Sequence, residues 1–521
     1  MIRVHGRFSP APLMVVACAL MLYLATMAPS ITWQHDSYDA GDLITAAHTL
    51  GIPHPSGYPT YMLLGRLFTS LPFRDIAGRM NLLSAVSGAV AVGLACHTAF
   101  DVAGPAPGRW GIAAGSALLL ATAPVYWSQS LVTEVYALNA AFHAALLCLG
   151  SRALRHSVRA QRSSSAILSP CLSAAALLFG LGLGNHLTLV FSAPLLAAPC
   201  FILWRQGAWR LSYALRLAAW FLLGLSVYAY LPIRAGAEPL FNWGNPQTLD
   251  GFVWMVTGGI YQQYVAALPL QHLGERMAAW LHLLRQQFGL LGVLLGVIGA
   301  RDLFQRDRVG LAVLAVPMLA LSAYAIAYNT TDSYVYLLPV DVSWTVMLAA
   351  GTRRIAQELS TARPNWSHLV PHLLAVGLLL LAVNAARVHW SAIDLSQDHT
   401  SRDYGTNVLR QVQDDAILIS VTDHHTFTLW YFLRIVTPRP RVALVDADLL
   451  GYDWYVDGLR RTYPWLKWPA GGPLPSIQDF IQANLNHSQV YLTDPHETLL
   501  TQFVWDEKEL LYQLRASQHS Q

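Results

Sequence analysis

The chain has 521 residues, of which 54% are hydrophobic and only 12% charged, and its mean hydropathy is +0.38; this argues against an ordinary soluble enzyme. A formal net charge of +3 with no long Lys/Arg tract argues against nucleic acid as a partner. The five cysteines fall inside apolar runs without CxxC or Cys/His spacing, which argues against a disulfide framework or a zinc site.

The basic segment 1–10 leads into an apolar run over 11–28 that reads as an uncleaved signal anchor. A bilayer core about 30 Å thick takes roughly 20 apolar residues of helix. Runs near that length recur at 80–100, 110–125, 135–150, 166–183, 187–204, 213–231, 280–300, 309–328, 334–350 and 369–386. About eleven spans are therefore expected. Gly180, Gly182 and Gly184 match part of a nucleotide fingerprint, but at the end of a span they read as helix-packing positions.

Beyond 387 the composition turns polar. Short buried strands are expected at 416–421, 442–445 and 490–492, each ending near an aspartate (Asp423, Asp446, Asp494). Helices are expected between them at 428–435, 455–463 and 476–484. The fold class that follows is mainly α. A polytopic membrane bundle (residues 1–387) precedes a C-terminal soluble α/β domain with a mainly parallel sheet (388–521).

Arginines mark alternate loops: Arg109; Arg152, Arg155, Arg159 and Arg162; Arg205 and Arg210; Arg301, Arg306 and Arg308; Arg353, Arg354 and Arg363. The short loops between them, 126–133, 184–186 and 329–333, hold no Lys or Arg. The positive-inside rule then puts the N-terminus in the cytoplasm and the C-terminal domain outside. Both long loops, 29–79 and 232–279, face outward, where chemistry is expected.

The first of these loops carries Asp36, Asp39 and Asp42, spaced by three, so that on a helix they would lie on roughly one face. Such a set can supply a general base or hold a divalent cation; alternatively it is a solvated acidic helix start. Next comes GIPHPSGYP over 51–59, with three prolines and two glycines in nine residues. This rigid turn could place His54 and Tyr58, or simply connect to an interfacial helix over 61–71.

The stretch 31–89, with its acidic loop and HPxGYP motif, resembles the protein O-mannosyltransferase-like family of multi-pass membrane proteins. The similarity continues at Thr133–Leu138 (TEVYAL), Gly184–Thr188 (GNHLT), Tyr230–Ala235 (YLPIRA), Asn242-Trp243-Gly244, Tyr404–Asn407 (YGTN) and Thr426–Tyr431 (TFTLWY). Two positions depart from the family pattern. Asp42 stands where Glu is frequent, and 423–427 reads DHHTF where an Asn/Asp-rich stretch is common.

The resemblance implies a glycosyltransferase of GT-C architecture. It would use a polyprenyl-phosphate sugar donor, by extrapolation mannose, and an acceptor hydroxyl on protein, lipid or glycan. Asp39, central in the cluster, is the first choice for the base; Asp36 competes, and Asp42 supports or touches a metal, whose identity the sequence leaves unknown. Arg79 and Arg234 sit at outer span ends, against the charge trend, as phosphate-binding candidates, membrane anchoring being the plainer role. Glu134, His186, Asn242 and Trp243 are further substrate-binding candidates, and Asp332 also lies outward without an assigned role. A bacterial inner membrane is the expected location. The alternative is a transporter or lipid flippase, for which His143, Arg285 and Asp341 are the only mid-span ionisable candidates.

Overall fold

Each apolar run forms helix in the computed structural model, which describes residues 10–104, 108–160, 168–470, 472 and 474–515. The basic segment before Pro10, Arg162 and the Arg159 side chain lie outside the described residues. Eight helices are long and apolar enough to cross a membrane, from Ile76–Ala103 to Val370–Ile393. Three of the eleven expected spans, Ala11–Thr26, Arg109–Ala121 and Pro170–Leu183, are shorter apolar helices. Prolines account for part of the shortening. Pro124 opens a separate helix, Pro124–Gln129, and so ends the run 110–125 early. Pro170 occupies the first turn of its helix, where its missing N–H is harmless.

The bundle is organised around Ser333–Ala362, which is buried from Leu337 to Arg353. It approaches Leu270–Arg306 through paired glycines. A Cβ on Gly299 would stand 1.8 Å from the Met347 carbonyl oxygen, and one on Gly351 1.9 Å from that of Leu295. Close backbone approach at small residues is what drives helix association in lipid, where apolar burial alone gives little preference. Gly180 and Gly224 do the same for Pro170–Leu183 against Leu211–Leu225, as expected of a packing glycine. The outermost helices keep leucines exposed, among them Leu215, Leu222, Leu373 and Leu380, as a lipid-facing surface requires.

One end of the bundle is fastened by arginines. Asp302 is 2.6 Å from Arg306 Nε and 2.7 Å from Arg353 Nη2, and Asp101 pairs with Arg152 and Arg155. At the other end lie the long loops and the C-terminal domain. The last apolar helix continues to Ile393, past the boundary expected at 387–388.

The C-terminal domain holds a five-stranded sheet of order β2-β1-β3-β5-β4, with β1 Ile417–Ser420, β2 Ala443–Asp446, β3 Val490–Leu492, β4 Trp505–Glu507 and β5 Tyr512–Leu514. The strands β2, β1 and β3 run parallel, and β5 and β4 add antiparallel. Helices Thr400–Gln411, Asp423–Tyr431, Asp453–Thr462, Ile477–Asn484 and Glu497–Gln502 pack around it. The carboxyl ends of the parallel strands carry Asp423, Asp446 and Asp494; in open α/β sheets this is the edge that meets ligands.

That edge docks on the first loop. Gly41 permits the contact, since a Cβ there would lie 2.1 Å from the Phe427 carbonyl oxygen. Trp33 Nε1 donates to the His424 carbonyl (3.1 Å) and to Thr428 Oγ1 (2.8 Å), fixing the same pair of elements from the side.

Candidate functional site

The first loop does not present its three aspartates on one helical face. His35 and Asp36 both take positive φ (59°), so Gln34–Asp36 is an isolated turn and regular helix begins only at Ala40. Asp36 accepts the Tyr334 hydroxyl. Asp39 is the residue that precedes the first turn of Ala40–Thr49, where the helix dipole favours a carboxylate. Asp42 points inward and is fully buried.

The turn 51–59 folds His54 back onto this helix. Asp42 Oδ2 accepts both the His54 backbone N–H (2.9 Å) and lies 2.7 Å from His54 Nδ1. His54 Nε2 then faces Asp39 Oδ2 at 3.5 Å. The result is a line of three groups, Asp42–His54–Asp39, running from the core to a cavity. Gly57 (φ +79°) leaves no room for a side chain beside Leu231, and Tyr58 follows in the left-handed region. Tyr58 thereby sits edge-on to His54, with ring centroids 5.1 Å apart.

The cavity has a volume of about 430 Å³. Asp36, Asp39, Asp332 and Asp423 line it, with His54 and His186, and no Lys or Arg is among its lining residues. The remaining walls are rich in tyrosine: Tyr58, Tyr136, Tyr261, Tyr328 and Tyr336. His186 lies within this belt, its ring 5.7 Å from Tyr136 and 5.5 Å from Tyr336, and its Nδ1 is 2.7 Å from Thr188 Oγ1.

Electrostatics separate the acids. Burial lifts the Asp39 carboxyl to about 6, with His54 drawing it down and Asp423 and Asp42 raising it further. Its side chain is still 34% exposed, so this is the dryness of a recess and not of a sealed core. Burial opposes a charge on His54, but Asp39 and Asp42 outweigh it and raise the imidazole to about 9. Asp423 is also pushed above the usual carboxylate range by burial, against the pull of His54.

Of the residues singled out from the sequence, Asp36, Asp39, His54, Tyr58 and His186 meet in one cavity, and Asp42 stands directly behind them. Glu134 is buried close by, its Oε1 without a hydrogen-bond partner among the described residues. Arg79 and Arg234 do not line the cavity. Arg79 donates to the carbonyls of Thr69 (2.7 Å), Phe73 (2.7 Å) and Arg74 (2.9 Å), which makes it a clamp on the preceding turn. Arg234 Nε donates to the Leu50 carbonyl at 2.6 Å, fastening the end of Ala40–Thr49, where Leu50 is left-handed. Asn242 bridges to Ile52, and Trp243 stands 6.3 Å from the His54 ring; neither lines the cavity.

Asp332 and Asp423 are the residues whose part in the site the sequence did not reveal. Asp423 had a signal, a carboxylate at the carboxyl end of a parallel strand. Apart from Tyr58, the tyrosine belt had none, because its members come from segments far apart in the chain. Among the described residues no three His, Cys, Asp or Glu side chains converge closely enough to hold a metal ion by themselves.

Residues 39–209 match the family description "Protein O-mannosyl-transferase TMEM260 N-terminal domain", and residues 401–475 match "TMEM260-associated domain 2". The chain is 29% identical over 480 residues to the Mus musculus protein O-mannosyl-transferase TMEM260, covering 86% of this chain and 65% of the relative. It is 24% identical over 524 residues to the Dictyostelium discoideum protein of the same name, covering 92% and 63%. The chain thus spans a little under two thirds of the length of these relatives. Both are eukaryotic and lend no support to a bacterial inner membrane. In fold the chain is similar to ArnT from Cupriavidus metallidurans, solved bound to undecaprenyl phosphate, with a TM-score of 0.62, 11% identity, and coverage of 96% of this chain and 97% of that one. The chain is a multi-pass membrane protein of GT-C fold that resembles the protein O-mannosyl-transferase TMEM260 family over most of its length.

Proposed function

We propose that this protein is a glycosyltransferase that moves a sugar, mannose by its relatives' name, from a polyprenyl-phosphate carrier to a hydroxyl of a polypeptide acceptor. The observation that carries this reading is the Asp42–His54–Asp39 line ending in a cavity. Asp39 takes the acceptor's proton as the hydroxyl oxygen bonds to the anomeric carbon. The bond from that carbon to the phosphate oxygen breaks, and the phosphate leaves with the electron pair. Asp42 holds the His54 ring in place, and the His54 charge keeps Asp39 ionised near neutral pH. With Arg79 and Arg234 occupied elsewhere, the leaving phosphate meets donors of the belt: the His186 imidazole, the Thr188 hydroxyl and the tyrosine hydroxyls. Asp36, engaged by Tyr334, is the weaker candidate for the base. The reaction takes place outside the cytoplasm, on the face opposite the arginine-rich end.

The test is transfer by the purified full chain in lipid, with radiolabelled polyprenyl-phosphate sugars and a Ser/Thr-bearing protein acceptor. Asp39→Asn is expected to cut transfer by about 10²–10⁴-fold while donor binding persists. A folded wild-type protein that transfers from no donor would sink the reading and favour a lipid transporter.

A further inference from the structure

A second cavity, of about 400 Å³, opens between the loop 236–248 and the C-terminal domain. Three indoles line it, Trp243, Trp430 and Trp454, together with Arg434 and Arg461. Trp243 stands 5.2 Å from Trp454 and 6.3 Å from His54, ring to ring, so a single side chain borders both this cavity and the Asp42–His54–Asp39 line. Three buried polar atoms of the lining residues have no hydrogen-bond partner among the described residues: Trp243 Nε1, Trp454 Nε1 and Asn242 Oδ1. Trp243 is only 5% exposed. Native interiors leave few such groups, and each calls for an explanation. Two donors and one acceptor, all on residues that line one cavity, are thus left unsatisfied within the described chain.

We infer that this cavity is an acceptor subsite that binds a polypeptide, seating one bulky side chain beside the residue to be glycosylated. The inference rests on the transfer reading only for the word acceptor. A peptide backbone supplies both kinds of partner, carbonyls for the indole N–H groups and an N–H for Asn242. Tryptophan, tyrosine and arginine are the side chains that dominate protein–protein contacts, because they combine a large apolar area with directed polar groups. The volume suits one large side chain and its backbone. Arg461 is exposed and forms no ion pair among the described residues, while Arg434 bonds to the Tyr463 hydroxyl. Glu238 is the only acid of the lining, and it is exposed. The balance of charge selects an acidic neighbour to the bulky side chain.

The experiment uses the full chain in lipid nanodiscs and reads fluorescence anisotropy of short labelled peptides, without donor. Each peptide has one central threonine, flanked by Asp and Phe, by Lys and Phe, or by Gly and Ser; unlabelled maltohexaose serves as the carbohydrate probe. The Asp/Phe peptide should bind about tenfold more tightly than the Lys/Phe peptide, and Arg461→Glu should erase that preference. Trp454→Ala should weaken the Asp/Phe peptide by about tenfold. Arg461 is exposed, so its variant keeps the fold, which a melting curve verifies. Peptides that bind alike or not at all, a preference that survives Arg461→Glu, or displacement by maltohexaose would overturn the inference. Transfer without cavity-dependent binding defeats only this subsite. Cavity-dependent binding without transfer from any donor defeats only the transfer reading.

Discussion

Asp36 and Asp39 lie three residues apart, yet their surroundings give them different work. Tyr334 donates a hydrogen bond to Asp36, whereas the ion-pair partner of Asp39 is His54 at 3.5 Å, too long for a strong hydrogen bond. Asp39 therefore keeps an oxygen available to a substrate proton. A base acts in its ionised form, so kcat/KM for transfer should rise with pH through about 6, where Asp39 titrates. Asp42 is among the groups that keep His54 charged, and His54 in turn holds Asp39 down. In His54→Gln the imidazolium that holds Asp39 down is gone and Asp39 rises, so the acid limb of the pH profile should move to higher pH. An unmoved limb would separate His54 from the base. Tyr334→Phe frees Asp36 without touching Asp39. It should change transfer only a few-fold, against the loss of about 10²–10⁴-fold expected for Asp39→Asn in the same assay.

Two short helices, Ala40–Thr49 and Asp423–Tyr431, bring the membrane part and the C-terminal domain to one cavity, and Gly41 is where they touch. The obstacle to a Cβ there is backbone, which cannot swing aside as a side chain would. Gly41→Ala should cost about 1–3 kcal/mol of stability, measured by thermal unfolding in lipid, and should lower transfer by moving Asp423 relative to Asp39. A variant as stable and as active as wild type would show that the contact is loose.

Much of this arrangement was legible in the sequence. The strands β1, β2 and β3 are short runs of Ile, Leu and Val buried on both faces, and such runs announce themselves. The strands β4 and β5 read WDE and YQL, half-exposed and too short to show alternation, and nothing marked them. The acidic cluster and the turn at 51–59 were visible as chemistry. That Asp36 leaves the helix depends on positive φ at His35 and Asp36, which their residue types do not demand. The arginines illustrate the same limit. Arg79 and Arg234 looked like phosphate ligands because sequence gives a charge and a span end, but not the loop carbonyls waiting at Thr69 and Leu50.

At the scale of the whole molecule, the axis of the protein is set by Ser333–Ala362. Its first turn carries Tyr334, bonded to Asp36 at the cavity, and Arg353 further along pairs with Asp302 among the arginines. Nineteen residues of helix separate the two, roughly 28 Å at 1.5 Å per residue. That is about the thickness of a bilayer's hydrocarbon core, so the cavity and the arginine cluster lie at opposite membrane surfaces. By the positive-inside rule we propose that the arginines face the cytoplasm and that the cavity, with the C-terminal domain, faces outward. The native cysteines lie in apolar helices, where an impermeant maleimide reaches thiols poorly. Single cysteines introduced at exposed positions can therefore report the two surfaces. Thr498→Cys in the C-terminal domain should label in sealed, right-side-out vesicles. Thr361→Cys, beyond the arginine cluster, should label only after detergent opens them. The reverse pattern would turn the whole molecule over and place Asp39 on the cytoplasmic side. An acceptor polypeptide and a carrier-linked sugar would then have to meet in the cytoplasm, and the outward reaction proposed for this site would be excluded by geometry alone.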